Sequence, residues 1–199
     1  MANTIITLSR EYCTGGRFIA QDVADALGVK LYDKELITMA ARDSGLSEEA
    51  VAASEKRHTH SLLYSLYTMG TDLPLSDQVF ILQSRIIKKL AEEGPCVILG
   101  RCADYVLRER KDLLSVFIHA PLSFRAQRAQ KVYEKTASNI EDFVRKKDKK
   151  RAAFYNYFSQ NKWGDARHYH LAISSVYGVD FAVEVLKHAA EAFPGGEGQ

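Results

Sequence analysis

The stretch ITLSREYCTGGRFIA, residues 6–20, carries an apolar, β-branched run through a glycine-containing turn into a helix-like pattern. A strand that feeds a helix across a tight turn aims several backbone N–H groups and the positive end of the helix dipole at one point. An anion bound there meets donors already in place. Gly15 and Gly16 bring backbone freedom and lack the Cβ atoms that would hold a phosphate away. The stretch nevertheless departs from the usual G-x-x-x-x-G-K-[ST] phosphate loop. With Arg17 set on the lysine, the first glycine position is Glu11 and the hydroxyl position is Phe18; with Gly16 set on the lysine, no cation stands there. An ordinary strand-turn-helix is the competing reading.

Outward from that turn, strand-like runs fall at residues 4–9, 29–32, 96–100, 114–119 and 171–175, with longer helical segments between them. Strands alternating with helices imply an α/β protein with a parallel sheet. After the glycine turn, Ile19, Val23, Ala26 and Leu27 form an apolar face, and Gly28 stops the helix. Between Ser76 and Gly94, Val79, Leu82, Ile86 and Leu90 recur at helical spacing and read as one buried stripe. Pro121 and Ser123 open another helix, and the Ser138 to Glu141 spacing offers a capping box for a long helix through a basic cluster. Residues 55–75 keep no steady period and read as a loop or short helices over a pocket, or as a surface excursion.

The 199 residues suit one α/β domain, and 27 basic against 25 acidic side chains leave a net charge of +2. So balanced a charge argues neither for nor against nucleic acid, and any such partner would need a local patch. Cys13, Cys96 and Cys102 are odd in number and show no C-x-x-C spacing, which points away from a disulfide framework or zinc and toward a reducing cytosol. No signal-peptide pattern opens the chain and no window reaches about 18 apolar residues, so a cytoplasmic protein without membrane insertion is expected. His58 with His60 and His168 with His170 form two H-x-H pairs, but neither has a third ligand nearby, so no metal site is assigned to them.

Two further clusters bear on chemistry. RKKDKKR, residues 145–151, sets six basic residues around one acid, and on a helix Asp148 and Arg151 share a face. The segment reads as a solvated charged face, as a nucleic-acid patch, or as a pair addressing one ligand; the aromatics Phe154, Tyr155, Tyr157, Phe158 and Trp163 follow at once. Gly100 and Arg101 come directly after the apolar CVIL run. In an open parallel sheet, residues just beyond the carboxyl ends of strands face the ligand crevice, so Arg101 is well placed for an anion; a surface ion pair is its plainer role.

Taken in order, these segments resemble the cytidylate-kinase-like family, a branch of the P-loop nucleoside monophosphate kinases. ITLSREYCTGGRFIA resembles that branch's S-R-E-Y-G-S-G-G-R phosphate loop, LGVKLYDKELI its second-strand segment, and VILGRCADYVL its G-R-x-A-D-Y stretch. VFIHAPLSFRAQR, KKDKKRAAFYNYF, KWGD and YHLAISS follow in the family's order, so the likeness runs over most of residues 4–185. It implies a three-layer P-loop NTPase-like parallel sheet with helices on both faces and a helical lid. Residues 1–194 would form one kinase-like domain, with a flap at about 45–75 and a lid at about 138–165, and 195–199 a flexible tail. The activity implied is transfer of the ATP γ-phosphoryl group to a nucleoside monophosphate or similar small phosphorylated acceptor, CMP-like by preference, with ATP and Mg2+ as cofactors. Donor binding would fall to Cys13, Thr14, Gly15, Gly16, Arg17 and Phe18, acceptor binding to Asp33, Arg101, Asp148 and Arg151, and catalysis to Arg17, Arg145 and Arg151. No residue is assigned to the metal. Cys13 stands where the related loop has glycine, Lys34 where cytidylate kinases use a serine, and His170 where related chains often have aspartate. A catalytically silent nucleotide sensor and a nucleic-acid-binding module are the alternative readings.

Overall fold

The computed structural model describes residues 4–33 and 75–193. The flap, the His58–His60 pair, Lys34 and the tail at 195–199 lie outside the described residues. Five strands, β1 (Ile5–Arg10), β2 (Lys30–Tyr32), β3 (Cys96–Leu99), β4 (Leu113–His119) and β5 (Leu171–Ser174), form one sheet in the order β2-β3-β1-β4-β5. Every pairing is parallel, with Thr7 opposite Ile98 on one side and Ser115 on the other. The described helices are α1 (Gly16–Leu27), α2 (Leu75–Glu92), α3 (Ala103–Val106), α4 (Leu122–Lys131), α5 (Ile140–Ser159) and α6 (Val179–Ala192).

Strand alternation divides the core into two faces. Ile6, Leu8, Val97, Leu99, Val116 and Ile118 meet Ile19 and Val23 of α1 and Ala182 and Leu186 of α6. On the other face Ile5, Cys96, Ile98 and Leu113 meet Val79, Ile86, Ile87 and Leu90 of α2. The result is a sheet between two helical layers, the arrangement that lets a parallel sheet bury both of its sides. The strand positions read from the sequence are the ones observed, to within a residue at most ends.

Helix ends follow their local chemistry with two shifts. Gly28 closes α1 in the left-handed conformation at φ 67, as expected, but the inward face carries Ala20 and Ala24, while Ala26 is exposed. The cap of α5 is Asn139, one residue beyond Ser138; its side chain accepts from the Asp142 N–H at 3.1 Å. Asn and Ser cap comparably, so local propensity did not distinguish the two.

Candidate active site

Because the strands are parallel, the carboxyl ends of β1, β2 and β3 open on one edge of the sheet, and each is followed by a residue of interest: Glu11 after Arg10, Asp33 after Tyr32, Gly100 and Arg101 after Leu99. β1 and β3 are neighbours whose onward connections, to β2 and to β4, run to opposite sides of the sheet, the kind of switch point where α/β sheets hold ligands.

The turn between β1 and α1 has the shape of an anion cradle. Cys13 at φ 63 and Gly15 at φ 85 are left-handed, and Gly15 is the residue that caps α1. The N–H groups of Cys13, Thr14 and Gly15 meet no acceptor among the described residues. Thr14 Oγ1 donates to the Glu11 carbonyl at 3.0 Å, which stiffens the turn from within. A Cβ on Gly15 would lie 2.9 Å from Nη2 of Arg128, so Arg128 sits directly against the cradle. Burial pushes the Cys13 thiol up to about 11, which keeps it neutral and unreactive at ordinary pH.

Arginines surround this turn. Arg10 is pushed well below the usual arginine range, first by burial and then by Arg151, Arg101 and Arg17 close by, with Asp33 the opposing carboxylate. Arg151 donates to the Arg10 carbonyl at 2.8 Å, and its guanidinium lies 5.4 Å from the Tyr12 ring centre. Arg17 Nε is 3.3 Å from Asp33, and its side chain remains 58 % exposed. Phe18 stacks on Tyr133 with ring centres 6.3 Å apart, and Arg128 lies 5.8 Å over the Phe18 ring.

A second set of contacts braces the turn from behind. Asp148 accepts the Tyr12 N–H at 2.7 Å and also pairs with Arg125, a buried arginine of α4. Arg125 donates to the Ala120 carbonyl at 2.9 Å and to the Tyr12 carbonyl at 3.2 Å, while Glu11 accepts from the Ala120 N–H at 2.9 Å and lies 3.3 Å from Arg125 Nε. A buried guanidinium is tolerated only when its charge and donors are met, and Glu11 and Asp148 meet them here. At the β3 end, Gly100, Arg101 and Cys102 run left-handed in succession, at φ 78, 59 and 57. Non-glycine residues held in that region cost on the order of 1 kcal/mol each and gather at functional turns.

Of the residues singled out in the sequence, Gly15, Gly16, Arg17, Asp33, Arg101 and Arg151 come together at the strand ends, and Asp148 joins the loop from below. Arg145 does not: it faces outward, 3.8 Å from Glu141, with its side chain 60 % exposed. The sequence reading passed over Arg10, Glu11, Arg125 and Arg128. A signal existed for the last pair, since two arginines three apart on the helix after β4 share one face. Among the described residues no group of three His, Cys, Asp or Glu could hold a metal, and His170 instead receives the Ser115 N–H at its Nδ1, 3.0 Å away. The three cysteines are free and buried.

A five-stranded parallel sheet in this order between helical layers is the fold of the P-loop kinases. Within that class, the profile of the cytidylate kinase-like family matches residues 5–177, and the chain belongs to that family. Among solved structures, an uncharacterized protein from Eubacterium ventriosum is similar at 24% identity and TM-score 0.73, over 95% of this chain and 99% of that one. A shikimate kinase from Bacteroides thetaiotaomicron shares 14% identity and TM-score 0.56 over 94% and 98% of the two chains. A gluconokinase from Sinorhizobium meliloti shares 15% and 0.55 over 96% and 95%. Comparison with curated proteins found no match.

Proposed function

We propose that this protein moves the γ-phosphoryl group of ATP to a nucleoside monophosphate, with a CMP-like acceptor favoured. The observation that carries the reading is the gathering of Arg10, Arg17, Arg101 and Arg151 at the strand ends, with Asp33 and Asp148 the opposing carboxylates among the described residues, beside a turn with open N–H groups. Phosphoryl transfer passes through a loose transition state in which alignment and surrounding positive charge do most of the work. The backbone at Thr14–Arg17 cradles the donor's phosphates, flanked by Cys13 and Phe18. Arg101 and Arg151 hold the acceptor phosphate, with Asp33 on the acceptor side. Asp148 acts through an arginine: it orients Arg125 and fixes the Tyr12 N–H. Residues 138–165 serve as the lid of a single domain, and Arg145, outward in this state, closes with it.

The open N–H groups and the Cβ-free approach at Gly15 fit a phosphate chain. Thr14 Oγ1 gives its proton to the Glu11 carbonyl and keeps its lone pairs, and Mg2+ would arrive on the nucleotide's own phosphates and waters, with Thr14 and Asp33 the oxygen groups at hand. Bound there, it would neutralise charge on the transferring group. No described helix is long and apolar enough to cross a membrane, and the cytoplasm is the compartment this chemistry suits.

The missing lysine, and Phe18 at the usual hydroxyl position, favour one second reading, a nucleotide sensor without turnover. Incubation with ATP, magnesium and a panel of nucleoside monophosphates, scored for ADP, separates the two. ADP formation that depends on CMP is expected; nucleotide binding without ADP from any pair would establish the sensor instead.

A further inference from the structure

A phosphate loop without a lysine raises the question of which cation meets the donor's terminal phosphate. Arg17 is the candidate by position in sequence, yet its side chain is largely exposed and leans on Asp33. Arg10 occupies a different place. It is the last residue of β1, and its stem lies along the start of α1, where a Cβ on Gly16 would come 3.0 Å from Arg10 Cβ and Cγ. Its tip crosses to the neighbouring strand end, where a Cβ on Gly100 would collide with Arg10 Nη1. Two glycines, one heading α1 and one closing β3, therefore leave the space that a single arginine fills. That arginine spans from the donor turn to the residue preceding Arg101.

No acceptor among the described residues takes a hydrogen bond from the Arg10 guanidinium, and Arg151, Arg101 and Arg17 crowd it. A half-enclosed guanidinium with no hydrogen-bond acceptor, beside three like charges and one carboxylate, Asp33, is short of counter-charge until an anion enters. Arg125 shows the contrast within the same site, since its donors are spent on Ala120, Tyr12 and Asp148.

Resting on the phosphotransferase reading, we propose that Arg10 supplies the cation the loop lacks, its guanidinium contacting the terminal phosphate of the bound donor and following it during transfer. An acceptor phosphate oxygen forms a bond to the γ-phosphorus as the bond to the β–γ bridging oxygen breaks. The electron pair leaves on the diphosphate, and between fully ionised phosphates no net proton is taken up or released. A planar fork of donors can hold two equatorial oxygens at once, where a lysine offers a point charge.

The test compares Arg10→Gln, Arg10→Lys and Arg17→Gln by kcat at saturating substrates, by calorimetric affinity for ATP and for inorganic triphosphate, and by thermal unfolding. Arg10→Gln is expected to lower kcat by about 100-fold or more and triphosphate affinity by about tenfold, with Arg17→Gln changing kcat by less than about tenfold. Arg10→Lys, which keeps stem and charge and covers the case in which the glutamine variant does not fold, should recover only part of the rate. A folded Arg10→Gln or Arg10→Lys protein with wild-type kcat and wild-type triphosphate affinity overturns the proposal. So does a loss explained wholly by a lowered unfolding temperature. If the wild-type protein transfers phosphate to no acceptor, the phosphotransferase reading fails on its own; triphosphate affinity then still decides Arg10, a loss upholding the contact and no change removing it.

Discussion

Gly15 and Cys13 show how much a single φ angle decides in this turn. Both are left-handed, and only at Gly15 does the residue type remove the cost. Valine at Gly15 would combine a strained backbone with a Cβ 2.9 Å from Arg128. Gly15→Val is therefore expected to cost about 1–2 kcal/mol of stability and to abolish ATP binding measured by calorimetry in the folded protein. Unchanged affinity would remove the turn from the nucleotide site. Asp148 makes the complementary case for charge. Its carboxylate meets both the Tyr12 N–H and the buried Arg125, so Asp148→Asn leaves a guanidinium under-compensated. A loss of about 2–4 kcal/mol in denaturant unfolding is expected, against less than about 0.5 kcal/mol for Arg145→Ala on the exposed side of the same helix.

The helix α5 resolves the basic cluster into two faces. Val144, Asp148, Arg151 and Tyr155 turn inward at helical spacing, while Arg145, Lys146, Lys149 and Lys150 are exposed. Charge count alone could not separate them: the outward face holds Arg145, Lys146, Lys149 and Lys150, and the inward face balances Arg151 with Asp148. At its inner end Tyr155 donates to the buried Asp104 carboxylate at 2.7 Å, and Ser9 of β1 lies 3.5 Å from the other oxygen. This joins α5, the short helix α3 and the central strand in one network. Burial raises the Asp104 pKa, outweighing the opposing hydrogen bonds. A folded value above the unfolded one means the native state binds the extra proton, so stability is complete below the unfolded value near ~4 and falls as pH rises through the folded one. Asp104→Asn should flatten that fall in unfolding measured from acid to neutral pH. An unchanged profile would assign the pH dependence to other groups.

Across the whole molecule, the proposed reaction asks residues 138–165 to respond to ligand. Like charges at 145–151 repel one another until a polyphosphate enters, and Arg151 among them lies beside the arginines of the strand ends. Hydrogen exchange over that segment should slow with donor and acceptor both bound, and less with ATP alone. No slowing with any nucleotide pair would count against closure. The order of strands and helices, the buried stripe of α2 and the glycine turn were legible in the chain because they rest on periods of two and 3.6 residues and on local punctuation. Arg101 was singled out because strand ends in a parallel sheet share one edge, Arg17 because it follows the glycine pair, and Arg151 because it shares a helical face with Asp148. The sheet order itself, with β1 between β3 and β4, was settled only by tertiary packing, and it brings the Arg151 guanidinium to a carbonyl 141 positions away. The surroundings of Arg10, Arg125 and Arg128 were settled there too. In sequence they are arginines beside strands; in the fold one is enclosed and unbonded, one is neutralised by Glu11 and Asp148, and one lies against Gly15. A charge's function depends on which partners reach it, and those partners come from distant segments that local pattern cannot bring together.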